Sequence, residues 1–147
     1  MQQVFVYGSL LFTEIVQALT GTNFTTKEGV LHGFKRCTIH GADYPALVHC
    51  KETSVKGKVL QNVDSRSLEI LKFYEGDEYE CIPASVLIEN KTMDALVFVW
   101  KGNADFLNGA WDEKAFEEAS LENYLNEIVP ETRLTFDSWQ AKAFNQH

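Results

Sequence analysis

Val4-Phe5-Val6-Tyr7 is an unbroken apolar run that stops at Gly8. A half-exposed strand alternates apolar and polar residues, and an amphipathic helix spaces its apolar residues three or four apart. A run of four fits neither and reads as a short strand covered on both faces. Such a strand commits the fold to a sheet with more protein on either side. The chain has 147 residues, 45% of them hydrophobic, which is the size of one domain and enough to bury a sizeable core.

Further strands are expected over residues 29–38, 46–49, 54–61, 79–89 and 95–101, several with alternating positions and all bounded by turn formers. Thr13 is placed to cap a helix through residue 19, with Gly21 just past its end. Asp64 or Ser65 can cap a second helix over 67–74, where Leu68, Leu71 and Phe73 offer an apolar stripe. A third is expected over 112–127, with Ala115, Phe116, Ala119, Leu121, Leu125 and the following Ile128 near helical spacing and Pro130 as its stop. A last short helix is expected over 137–143, capped by Asp137. Strands with few, peripheral helices indicate an α+β fold: a small mixed β-barrel of about five to seven strands. One domain is expected over residues 1–147, the last ~35 forming a helical extension.

Charge narrows the function. Thirteen basic against 21 acidic side chains leave a net charge of −8, which repels nucleic-acid backbones and anionic lipid but permits an acidic small molecule in a local pocket. No apolar run approaches the roughly 20 residues that span a bilayer. The first residues lack a basic segment and enter a core strand at once, unlike a signal peptide. Cys37, Cys50 and Cys81 are odd in number and widely spaced, which argues against a disulfide framework and for a reducing compartment; a cytoplasmic location is expected. Cys37 and His40, or His49 and Cys50, do not repeat a ligand spacing and fall in strand, where neighbours face opposite ways, so no metal is expected. Nothing places a base beside Cys81, which reads as a core or edge cysteine.

Two segments carry candidate chemistry. At Tyr7-Gly8-Ser9-Leu10 a buried strand turns on glycine, which exposes successive backbone N–H groups and permits close approach of a carboxylate or developing oxyanion. The same four residues also read as nothing more than a strand ending in a glycine turn. Glu75 lies at the last turn of a helix between Tyr74 and Gly76, where the helix dipole disfavours a carboxylate and raises its pKa. A structural role there would more naturally use Lys, whereas Asp77, Glu78 and Glu80 read as solvated. The late aromatics Trp100, Phe106, Trp111, Phe116, Tyr124, Phe136 and Trp139 read as packing residues, any one of which can wall a pocket.

Taken in register, these pieces resemble the γ-glutamylcyclotransferase-like proteins, including their avirulence-induced, plant-type branch. The likeness is carried by Val4-Phe5-Val6-Tyr7-Gly8-Ser9-Leu10, by Asp43-Tyr44-Pro45-Ala46-Leu47-Val48 and by Val55-Lys56-Gly57-Lys58-Val59. It continues through Leu68, Leu71, Tyr74-Glu75-Gly76 and Tyr79, then Phe98-Val99-Trp100 and Asn108-Gly109-Ala110-Trp111-Asp112. It implies a compact mixed barrel in which the backbone of Tyr7, Gly8, Ser9 and Leu10 holds a γ-glutamyl moiety and Glu75 acts as acid and base. Tyr79 would wall the pocket or bond the substrate. The chain departs from the family's habit at Leu11, where a basic residue is common, at Lys72, where Asp is common, and at Cys81, where Arg is usual.

The implied reaction is attack of a substrate's own α-amine on its γ-carbonyl, giving 5-oxoproline and a free amine. It requires orientation and a proton acceptor, but no nucleophilic side chain, metal or cofactor. The amine, with pKa about 8, lies some 5 kcal/mol from an ordinary Glu of about 4.3, so a Glu75 raised to between about 6 and 7 would serve better. Three other readings remain: a non-catalytic protein holding a small carboxylate in the same cavity, an interaction module docking through the acidic stretch 112–127, and the same fold acting on another γ-glutamyl or acyl-amine linkage.

Overall fold

The computed structural model of the chain describes residues 1–145. Six strands form one mixed sheet: β1 (Gln2–Val6), β2 (Thr26–Ile39), β3 (Pro45–Val63), β4 (Tyr79–Ile88), β5 (Lys91–Trp100) and β6 (Leu107–Ala110). Their order is β3-β1-β5-β4-β2-β6, and β2 pairs β3 as well, so five strands return on themselves as a partly closed barrel. The seam between β2 and β4 is narrow, a single pairing of Val30 with Leu87. β1 lies between antiparallel β3 and parallel β5.

The apolar run at the start of the chain is covered on both faces, as expected. Val4, Phe5, Val6 and Tyr7 are all buried, on two different sides. Phe5 and Tyr7 join Leu31, Val59, Val86 and Val97 from the other barrel strands in the interior. Val4 and Val6 face outward onto Leu10, Ile15, Leu19 and Leu71 beneath the helices. Each such side chain contributes roughly 1.5–3 kcal/mol of burial.

The helices are α1 (Thr13–Thr20), α2 (Ser65–Glu75), α3 (Glu113–Ala119), α4 (Leu121–Asn123) and α5 (Val129–Asn145). α1 ends at Gly21 in the left-handed region, as expected, but starts without a side-chain cap, because the Thr13 hydroxyl turns to Glu14. Asp64 caps α2 by accepting from the Ser67 N–H at 3.2 Å. The buried residues of α2 are Ser67, Ile70 and Leu71, while Phe73 stays on its rim against Phe136, with ring centroids 5.6 Å apart.

Three expectations fail. Residues 46–49 and 54–61 are not separate strands, because β3 runs through both, its hairpin partner β2 shifting register between His32 and Phe34. The helix over 112–127 breaks at Ser120, which leaves helical geometry (φ −127°). Pro130 stops nothing, and the segment over 137–143 belongs to α5. Residues Tyr124–Ile128 form a wide π-turn in which the Val129 N–H reaches back to the Tyr124 carbonyl, and the helix continues through Pro130 at its first turn. There the missing proline N–H costs least. β6, formed by Asn108-Gly109-Ala110 and its neighbour Leu107, was not foreseen. Among the described residues no helix is long and apolar enough to cross a membrane.

Candidate functional site

The site begins where β1 runs out. Gly8 permits Pro45 to press against the backbone, since a β-carbon there would stand 2.8 Å from the proline ring. Ser9–Leu11 then form one 3-10 turn with all three residues buried. Its bonds consume the N–H groups of Leu11, to the Gly8 carbonyl at 2.9 Å, and Phe12, to the Ser9 carbonyl at 3.2 Å. The N–H groups of Gly8, Ser9 and Leu10 make no such turn bond, which leaves them as donors at the strand's end.

Tyr7 is fixed at both ends. Its hydroxyl donates to the Phe98 carbonyl, and its own carbonyl accepts from Arg36 Nη1 at 2.7 Å. The Arg36 guanidinium lies 5.1 Å over the Trp111 ring. Burial lowers its pKa, partly offset by Glu113 and Asp112. The Trp111 indole donates to the Asp43 carbonyl at 2.8 Å, and Tyr124 donates to Asp43 Oδ1 at 2.9 Å. Asp43 thereby anchors the turn that carries Tyr44 and Pro45 over the site.

Glu75 is the last residue of α2. The chain leaves through Gly76 at φ +88°, a conformation that favours glycine, while the Gly76 N–H bonds the Lys72 carbonyl at 3.1 Å. This exit sets the Glu75 side chain against the β1 turn instead of outward. One narrow hollow of about 20 Å³ is lined by Tyr7, Gly8, Ser9, Leu10, Tyr44, Pro45, Glu75, Tyr79 and Phe98. A larger compartment of about 210 Å³ continues from it, sharing Ser9, Tyr44, Glu75 and Tyr79 and adding Tyr74, Tyr124, Ile128 and Thr132.

Burial alone pushes the Glu75 carboxyl up to about 8. The residue keeps partial solvent access where it lines the hollow, but protein surrounds the carboxyl, and no ion pair relieves it: the single salt bridge among the described residues is Arg133 with Asp137. Desolvation of this kind favours the neutral acid. The rise expected at this helix end is present, and burial is its cause; it carries the carboxyl past the range of about 6 to 7 that would already serve a proton acceptor. Burial also raises Tyr7, Tyr74, Tyr79 and Tyr124, so these phenols stay neutral and serve as hydrogen-bond donors.

All six residues singled out from the sequence meet in this hollow: Tyr7, Gly8, Ser9, Leu10, Glu75 and Tyr79. Tyr79 is a wall. Its hydroxyl donates to the Pro45 carbonyl at 2.6 Å and its ring stands edge-on to Trp100, centroids 5.4 Å apart. Ser9 Oγ shares a 2.8 Å hydrogen bond with the hydroxyl of Tyr74, a residue that is part of the family likeness but had no role assigned from the sequence. Arg36 and Asp43 were missed as well, because their contacts join strands distant in sequence; the Asp43-Tyr44-Pro45 triplet before β3 was the only local signal. The three departures do not line the hollow. Leu11 packs in the core, and Lys72 and Cys81 border a neighbouring surface depression with Asp77 and Lys101, on the far side of Tyr79 and Phe98, which line both. Among the described residues no three His, Cys, Asp or Glu gather in metal-holding geometry.

The partly closed mixed barrel is a fold shared with a solved gamma-glutamyl cyclotransferase. The two superpose with a TM-score of 0.57 at 16% identity, covering 88% of this chain and 86% of that one, a likeness of fold. The family model "Gamma-glutamyl cyclotransferase, AIG2-like" matches residues 4–113, and the chain belongs to that family. It is similar to AIG2-like protein D of Arabidopsis thaliana, 33% identical over 129 residues, covering 85% of each chain. AIG2-like protein A of the same plant is 32% identical over 121 residues, covering 80% of this chain and 72% of that protein. A further Arabidopsis thaliana protein, solved in solution, superposes with a TM-score of 0.67 at 27% identity, over 86% of this chain and 87% of that one.

Proposed function

We propose that this protein is a γ-glutamyl cyclotransferase: it converts a γ-glutamyl compound into 5-oxoproline and a free amine, with Glu75 as acid and base. The observation that carries the reading is the Glu75 carboxyl, raised to about 8 by burial without an ion-pair partner, in the hollow lined by Gly8, Ser9 and Leu10.

The substrate's α-amine attacks its own γ-carbonyl carbon, forming the ring C–N bond while Glu75 accepts the proton that nitrogen sheds. A peptide α-amine titrates near about 8 and the neighbouring α-carboxylate holds the substrate's amine somewhat higher, so a Glu75 at about 8 removes most of the mismatch an ordinary glutamate would face. Negative charge develops on the carbonyl oxygen or persists on the substrate's α-carboxylate, and the N–H groups of Gly8, Ser9 and Leu10 are the donors for it. Collapse breaks the bond to the leaving amine, and Glu75 returns its proton there. Holding both reacting groups of one molecule in a bent conformation contributes roughly 7–11 kcal/mol in favourable systems. The chemistry is complete with this chain's own groups; the substrate is the one small molecule it requires.

Glu75→Gln keeps the shape of the side chain and removes the proton acceptor. With a panel of γ-glutamyl amides, wild-type protein releases 5-oxoproline, and the variant, folded by circular dichroism, is slower by about 10³-fold or more. Normal turnover by the variant would exclude Glu75 as the base.

A further inference from the structure

We propose that Arg36 is a positioning residue for the bound anion: acting through the Tyr7–Gly8 peptide, its charge orients and strengthens the Gly8 N–H. This rests on the cyclotransferase reading and adds the source of positive charge at the site. That reading holds negative charge in the narrow hollow, yet among the described residues no Lys, Arg or His lines it. The charged group there is Glu75, which repels an anion once it is ionised. The N–H groups of Gly8, Ser9 and Leu10 remain as fixed donors.

The Tyr7 carbonyl and the Gly8 N–H are the two ends of one peptide unit. In a trans peptide they point opposite ways and share one conjugated system. Arg36 Nη1 donates to that carbonyl at 2.7 Å, and it does so from outside, since Arg36 lines neither the hollow nor the compartment continuing from it. The carbonyl therefore turns away from the hollow and the Gly8 N–H faces it. A cation on the carbonyl oxygen draws electron density off the nitrogen, and hydrogen bonds in series strengthen one another. The guanidinium is held in place over the Trp111 ring at 5.1 Å, and the indole is itself tied to the Asp43 carbonyl at 2.8 Å. Burial works against its charge, and Glu113 and Asp112 offset that in part. Neither cancels it, because the one salt bridge among the described residues joins Arg133 and Asp137. Placement behind the peptide also preserves the base. A guanidinium inside the hollow would hold Glu75 ionised. From where it stands, Arg36 opposes the rise that burial imposes on the Tyr7 phenol, while Glu75 responds to burial alone.

The test measures 5-oxoproline release from a γ-glutamyl anilide by wild type, Arg36→Lys, Arg36→Met and Arg36→Ala. Arg36 is half-buried, and Lys and Met keep a long unbranched stem, so both variants should fold. Deleting an anion donor outright costs about 10²–10³ in rate, so losing the cation that strengthens one should lower kcat/KM about tenfold in Arg36→Met. Arg36→Lys keeps a charged donor and should stay within about threefold of wild type. The pH at which kcat/KM levels off should be the same in all of them. Ethylguanidinium should restore activity to Arg36→Ala about fivefold or more, and N-ethylurea, of the same shape without the charge, should not. A merely structural role predicts equal losses in Met and Lys, or equal rescue by the two additives, and either result overturns the proposal. A shifted plateau does so too, because the charge would then act on Glu75. Calorimetric titration of 5-oxoproline separates the failures. Absence of 5-oxoproline release from every γ-glutamyl amide defeats the cyclotransferase reading. Binding of added 5-oxoproline that Arg36→Met weakens about tenfold and Arg36→Lys keeps would still support the role of Arg36. Equal binding by all three proteins, or none by wild type, refutes it.

Discussion

A carboxyl held near pKa 8 is mostly protonated at neutral pH, so Glu75 waits as an acid and meets a substrate whose amine is also protonated. Attack requires the amine neutral and the carboxyl ionised, and the proton that Glu75 takes from the attacking nitrogen is the one it returns to the departing amine, so reaction begins once both groups have lost their protons. Below about pH 8 both must be deprotonated, and log kcat/KM from initial rates of 5-oxoproline release should rise with a slope of about two and level off at higher pH. A slope of about one between pH 6 and 7 would mean the carboxyl titrates as an ordinary glutamate. At this scale the sequence was informative for a physical reason: Glu75 stood at a helix end, where an acid is costly, between an aromatic and the glycine that turns the chain back inward. Tyr44, Arg36 and Asp43 carried no comparable local anomaly, because what they touch is decided by strands far away in sequence.

Elements position these groups through a few contacts between loops. The turn after β1 and the turn before β3 touch at Gly8 and Pro45, and the second turn is pinned from the helical side by Tyr124 through Asp43. Gly8→Ala puts a methyl against the proline ring, a clash that costs about 1–3 kcal/mol if the neighbours move apart. That movement shifts the donors at Ser9 and Leu10, so activity should fall about 10–100-fold, more than the loss of thermal stability accounts for; unchanged kcat would show that the contact does not position the loop. Tyr124→Phe leaves Asp43 Oδ1 without this donor and should cost roughly 1 kcal/mol, read as a lower melting temperature. The helices beyond Asp112 were the least legible elements. Of the apolar positions spaced there only Phe116 is buried, Leu121, Leu125 and Ile128 are half-buried, and Ala115 and Ala119 face solvent; periodicity does not report the break at Ser120, and a proline reads as a stop unless a π-turn just before it admits the ring.

On the scale of the whole molecule, β1 is the clearest case of pattern dictating placement: a run with no polar position has to be covered twice, and it lies between β3 and β5 with barrel interior on one side and helices on the other. Closure of the barrel was less legible, since it depends on β2 bending far enough to pair both β3 and β4, a long-range match that no local pattern encodes. The same closure makes the fold carry an electrostatic cost. In the unfolded chain Glu75 titrates near its ordinary 4.5, and in the folded one near about 8. Below 4.5 both states hold the proton and nothing is lost. As pH rises from there toward 8 the unfolded chain releases its proton and the folded one retains it, so unfolding is favoured progressively; above 8 the penalty is constant. Glu75→Gln has no proton to lose. Its melting temperature should match wild type near pH 4.5, pull ahead between pH 5 and 8, and hold a lead of several degrees at pH 8.5, at about 2–4 °C per kcal/mol for a domain of this size. Scanning calorimetry of the two proteins at matched ionic strength measures the difference directly and cancels the titration of groups they share. A lead independent of pH would place the Glu75 carboxyl in water, where the cyclotransferase reading loses its base.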